Sequence, residues 1–131
     1  KLTRVVMNAF TNLNNHLQFS MITNLKKKDL LILISDSGET REIVEAAKLA
    51  KQNNTKIISI TKFTKNKLYA YSDHIIKTAS FDVNLRLDAT TSRIAQFTII
   101  DMIFINILKT DFSKYKEIIT NSDNAVRILK Y

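Results

Sequence analysis

A chain of 131 residues with one glycine and no proline has almost nowhere to place a backbone of positive φ. The position of that glycine is therefore the tightest local constraint on the fold. Gly38 lies in Ser35-Asp36-Ser37-Gly38-Glu39-Thr40, between the continuously apolar run Leu30–Ile34 and an amphipathic stretch that starts at Glu39. Such a turn joins a strand to a helix. The first turn of a helix presents unpaired N–H groups and the positive end of the dipole, and both favour an anion. Ser35, Ser37 and Thr40 add hydroxyls that can each donate to a phosphate oxygen. In an isolated serine–glycine turn, Ser37 would simply cap the helix. Three hydroxyls around the sole glycine favour an anion site instead.

The rest of the chain alternates strands with helices. Residues 5–9 and 30–34 read as strands, with a short helix over 14–24 between them. A helix over 39–52 carries Ile43, Ala46, Ala47 and Ala50 as its inner stripe and acidic residues in its first turns. Strands follow at 56–60 and 74–77, separated by a loop and a helical turn over 61–71. Strand–helix–strand alternation with uninterrupted apolar strands implies an α/β fold, with a parallel sheet of about four strands flanked by helices in three layers. No internal repeat or linker divides it, so one domain over 1–131 is expected. After an irregular connection at 80–88, Thr90-Thr91-Ser92 can cap a long helix running to about Lys109. Its apolar residues cover nearly the whole circumference, which predicts burial within the domain or against a second copy. A closing helix over 112–129, broken near Asn121, completes the pattern.

Composition removes several functions. Without cysteine there is no disulfide, thiolate nucleophile or thiolate metal site, in keeping with a reducing cytoplasm. Two histidines, His16 and His74, offer no metal-ligand spacing, so no metal and no cofactor is expected. A formal charge of +8 raises the question of nucleic acid, but the lysines are dispersed and accompany an isoleucine- and asparagine-rich composition typical of AT-rich genomes. The one dense cluster, Lys26-Lys27-Lys28, precedes a strand in an exposed turn. The apolar run 94–108 is shorter than the ~20 residues of a membrane span and contains Gln96, Asp101 and Asn106, so no membrane is expected. The chain opens at Lys1 with no signal-peptide pattern and reads as a fragment of a longer protein.

The stretch from Leu30 to Thr40 resembles the second phosphate loop of SIS (sugar isomerase) domains, a hydrophobic strand followed by Ser-x-Ser-Gly-x-Thr. Ala89-Thr90-Thr91-Ser92-Arg93-Ile94-Ala95-Gln96 is similar to a segment of the SIS domains of RpiR-type transcriptional regulators, as are Arg86 and Asn15-His16-Leu17-Gln18. The resemblance implies a flavodoxin-like fold in which Ser35, Ser37, Thr40, Gly38 and the loop amides hold the phosphate of a sugar phosphate. It also implies an N-terminal helix-turn-helix head, through which alone DNA would be bound. SIS domains begin with a further strand and a Gly-x-Gly-x-Ser loop that has no counterpart here. Against that pattern the fold is N-terminally truncated.

Each remaining candidate has a plainer role beside its functional one. His16 can contact ligand or stand exposed at a helix start. Glu39 can serve as general base in an isomerase, or complement the dipole of its helix. Thr91 and Ser92 can bind sugar at a helix N-terminus or only cap it, and Arg86 can clamp phosphate or face solvent. The combined expectation is a non-enzymatic effector domain without catalytic residues, which senses a sugar phosphate as a homodimer or higher homo-oligomer. A sugar-phosphate isomerase and a purely structural dimerisation module are the alternatives.

Overall fold

The computed structural model describes residues 1–5, 7–79 and 88–127. They fall into two compact units, one formed by Asn12–Phe97 and the other by Lys1–Thr11 with the chain from Thr98 onward.

The first unit is a parallel sheet flanked by helices. Its elements are α1 (Asn15–Thr23), β1 (Leu30–Ile34), α2 (Arg41–Gln52), β2 (Lys56–Lys62) and β3 (His74–Thr78), with a 3-10 turn at Lys67–Ala70. The strands lie in the order β1-β2-β3 and pair in parallel, Ile34 opposite Ile60 and Lys62 opposite Thr78. The central strand is the one covered on both faces, with Ile57, Ser59, Ile60 and Thr61 all fully buried. β1 is an edge strand among the described residues, and Leu30 and Ile34 at its two ends are exposed. Asn14 starts α1 by accepting the Leu17 N–H at 3.2 Å. α2 packs on β1 and β2 through Val44, Ala46, Ala47 and Ala50. Because Ala47 and Ala50 have no exposed surface, larger side chains there would force the helix off the sheet. Ile22, Leu33, Ile57 and Leu68 complete the core around them. The Lys26–Lys28 turn is exposed as expected, at the end of β1 opposite the Gly38 turn.

In the second unit, a 3-10 turn at Leu2–Val5 packs with α4 (Phe112–Arg127), which follows α3 (Asp88–Thr110). Lys1 Nζ donates to Asp101 Oδ1 at 2.6 Å, and Arg4 pairs with Asp123. The described residues of 5–9 do not form the expected strand. A β-prone run becomes a strand only with a ladder to join. Here Val5 is buried beside helices, and Met7–Ala9 close a tight turn in which the Ala9 N–H donates to the Met7 carbonyl at 2.8 Å. The sheet therefore has three strands, not about four, among the described residues.

The long helices also depart from expectation. α3 begins at Asp88, so Thr90, Thr91 and Ser92 lie inside its first turns and do not cap it. Among the described residues it is covered only in part: Ser92 is buried, whereas Ile94, Phe97, Met102 and Ile105 are exposed. Thr90–Thr110 is also long and apolar enough to cross a bilayer by length and composition, so the shortness of the apolar run does not exclude a span. The charge of Asp101 near its centre, paired to Lys1, is the stronger argument against one. α4 runs unbroken through Asn121, because an asparagine costs a helix interior only a fraction of what glycine or proline does. Apart from Asp88, the connection read at 80–88 lies outside the described residues.

Asp73 fastens the amino ends of the strands. Its Oδ2 accepts the Ile57 N–H at 2.9 Å, and Oδ1 lies 3.2 Å from Lys51 Nζ and 3.6 Å from Lys56 Nζ. The backbone hydrogen bond from Ile57, then the bond from Lys51 and the charge of both lysines, lower the Asp73 carboxyl below the usual aspartate range. A depressed folded pKa contributes stability that is present above the unfolded value of about 3.9 and lost as pH falls through the folded one. Asp73→Asn is therefore expected to lower the thermal midpoint at pH 7, with the gap from the parent narrowing as pH drops below about 4. Melting curves from pH 7 to pH 3 check this, and a gap independent of pH would contradict it.

Candidate functional site

The carboxyl ends of β1 and β2 build the site, where ligands of parallel sheets bind. Ser35 continues the pairing, its N–H donating to the Ile60 carbonyl at 3.1 Å. The chain then turns sharply enough to need Gly38 at φ +65°. A second constraint reinforces the first: a Cβ on Gly38 would overlap the Asn66 carboxamide. Glycine is required twice over.

The hydroxyls divide their work. Ser35 is buried, and its Oγ accepts the Gly38 N–H at 3.1 Å and lies 3.0 Å from Thr40 Oγ1. Either hydroxyl of that pair can be the donor. Thr40 is exposed, as is Ser37, whose Oγ accepts the Glu39 N–H at 3.2 Å. Ser35 is thus a brace, and Ser37 and Thr40 are the exposed hydroxyls of the turn. Gly38 acts through conformation, because its N–H is spent inward on Ser35. Thr40 precedes α2 without a side-chain capping bond, so the first-turn amides of α2 keep their polarity toward the same space.

Glu39 points elsewhere. Its Oε1 accepts the Lys67 N–H at 2.8 Å and its Oε2 lies 2.8 Å from Lys67 Nζ. The side-chain bond to Lys67, followed by the backbone bond, lowers its carboxyl below the usual range, which makes it a poorer proton acceptor. Glu39 ties the start of α2 to the segment after β2, a role beyond the dipole partner expected for it.

Among the described residues, no side-chain bond joins His16, Thr91 or Ser92 to this turn. His16 is exposed on α1, and Thr91 is exposed on α3. Ser92 is buried, its hydroxyl without a partner among the described residues. Arg86 lies outside the described residues.

The sequence missed the residues that hold the loop from outside. Thr61 Oγ1 donates to the Asp36 carbonyl at 3.0 Å, and the Lys62 N–H donates to the same oxygen at 2.9 Å. Asn66 Nδ2 donates to Thr61 Oγ1 at 3.1 Å. An asparagine ahead of a helical turn was a visible cap signal, but its reach to Gly38 is set by the pairing of β1 with β2. Lys77, 4.7 Å above the Phe63 ring and 5.5 Å from that of Tyr69, lies near the same rim.

Known proteins share this fold. The family model of the SIS domain matches residues 5–106. An uncharacterized HTH-type transcriptional regulator of Caldanaerobacter subterraneus subsp. tengcongensis is 35% identical over 98% of this chain and 45% of its own length. Another from Thermotoga maritima is 34% identical over 100% of this chain and 46% of its own. The chain spans about half the length of the curated relatives it matches. Among solved structures, Vibrio vulnificus NanR complexed with ManNAc-6P shares the fold with a TM-score of 0.87 at 23% identity, over 98% of this chain and 48% of that one. The sugar isomerase domain of an RpiR transcription factor from Sphaerobacter thermophilus gives 0.74 at 15% identity, over 94% and 67%. With the Ser-x-Ser-Gly-x-Thr turn at the carboxyl end of its first parallel strand and a family match over most of its length, this chain belongs to the SIS domain family.

Proposed function

We propose that this chain is the effector domain of a bacterial HTH-type transcriptional regulator, and that it binds the phosphate of a sugar phosphate at Ser35–Thr40 without catalysing its conversion. One observation carries the reading: Ser37 and Thr40 present exposed hydroxyls beside a helix start without a side-chain cap, on a turn whose shape is braced from within and without. Phosphate dianions suit that combination of donors and helix polarity. The relatives named as HTH-type regulators, and the ManNAc-6P complex of NanR, agree with it. Binding would change DNA affinity through a head elsewhere in the full protein, if the ligand favours one arrangement of a dimer or higher oligomer. The exposed apolar residues Ile94, Phe97, Met102 and Ile105 of α3 supply a surface for that association. A non-catalytic role accords with the state of Glu39, whose carboxylate is committed to Lys67.

Titration calorimetry of the full-length protein against hexose and amino-sugar 6-phosphates is expected to give saturable binding. Ser37→Ala should weaken it about ten- to hundredfold, the effect of one hydrogen bond to a charged group. Absence of heat across the whole panel would remove the sensing function and leave the structural dimerisation module. Gly38→Ala should lose ~1–2 kcal/mol from its positive φ alone, before the overlap with Asn66 is counted. Chemical denaturation measures it, and a neutral substitution would contradict the loop geometry. Incubation of the same sugar phosphates with the protein should return them unchanged. Aldose–ketose turnover lost in Glu39→Gln would instead establish an isomerase.

A further inference from the structure

The connection between β2 and β3 touches the loop on both sides of its tip. On one side, Thr61 passes its hydroxyl proton to the Asp36 carbonyl and accepts from Asn66 Nδ2. On the other, Lys67 holds Glu39 through both its N–H and its ammonium group. Ser37 and Gly38 sit between these anchors, and the Asn66 carboxamide packs against the bare Cα of Gly38.

Asn66 is itself fully committed. It is 9% exposed, its Nδ2 also donates to the Thr64 carbonyl at 2.9 Å, and its Oδ1 accepts the Leu68 N–H at 3.1 Å. Both amide protons and the oxygen are used, so rotating the carboxamide would break all three contacts. The next core residue, Leu68, has no exposed surface and anchors the segment from below. A rigid, buried donor thus reaches the outward loop through one hydroxyl.

We propose that Asn66 is a positioning residue of the phosphate loop: it holds Ser37 and Gly38 in the binding conformation through Thr61 and by direct packing, without touching the ligand. The proposal rests on the reading of Ser35–Thr40 as a phosphate loop and assigns that site an external brace. A loop held in place before the ligand arrives loses less freedom on binding, and affinity rises accordingly.

Asn66→Ser separates bracing from capping. Serine still caps the turn by accepting the Leu68 N–H, but it is too short to reach Thr61 or to fill the space against Gly38. Hydrogen exchange followed by mass spectrometry in the ligand-free full-length protein should rise about tenfold in peptides covering 35–40, while those covering α2 keep the parental rate. Thr61→Val cuts the same chain at its other link, so in the double variant the two effects should combine to less than their sum. Inorganic phosphate and glucose 6-phosphate, as probes, should bind Asn66→Ser about tenfold more weakly than the parent. Parental exchange at 35–40 in both single variants would overturn the brace whatever the ligands do. Faster exchange with unchanged affinity would overturn its positioning role. If the parent itself binds neither probe nor any sugar phosphate, a raised exchange rate still upholds the brace, and it is the phosphate reading that falls.

Discussion

The register of β1 on β2 is the constraint on which the site depends. With Ile34 opposite Ile60, Ser35 and Asp36, which follow β1, run beside Thr61 and Lys62, the last residues of β2. Side chains alternate along a strand, so a slip of one residue would turn Thr61 to the other face and carry its hydroxyl away from the Asp36 carbonyl. The apolar faces forbid that slip, because Ile57 would have to exchange places with a more exposed neighbour. Hydrophobic packing in the middle of the sheet therefore sets hydrogen bonding at its end.

Charge is handled economically at this end of the molecule. An acidic residue next to the proposed phosphate site would repel an anion, and Glu39 is adjacent to Gly38. Its carboxylate is matched by Lys67 at hydrogen-bonding distance, which offsets the charge and anchors the loop. An exposed pair of this kind contributes little to global stability. Its value lies in where it holds the backbone.

Much of this was legible in the chain. β1 was read with its observed bounds, and α1, α2, β2 and β3 with small shifts at their ends, because continuous apolar runs and the alanine stripe are local signals. Gly38 marked the loop because nothing else in the chain relieves a positive φ so cheaply. The misses share a cause. Residues 5–9 have strand propensity, but pairing is a tertiary event, and the turn at Leu2–Val5 buries Val5 and packs with α4 instead. The exposure of α3 was hidden because an all-round apolar helix says that it needs cover, not where the cover comes from. Asn66 and Thr61 were invisible as site residues since their partners lie 5 to 28 positions away and meet only after the strands pair.

The sheet order, which follows the order of the chain, has a consequence for assembly. Every contact that shapes the loop, from Ser35 to Leu68, falls within a contiguous stretch, and each strand pairs with its nearest predecessor. Short closures are entropically cheap and favour early formation. On a ribosome, the loop and its brace would both have emerged before α3 and α4 were made, so the sheet and its Gly38 turn can mature while the long helices are still being synthesised.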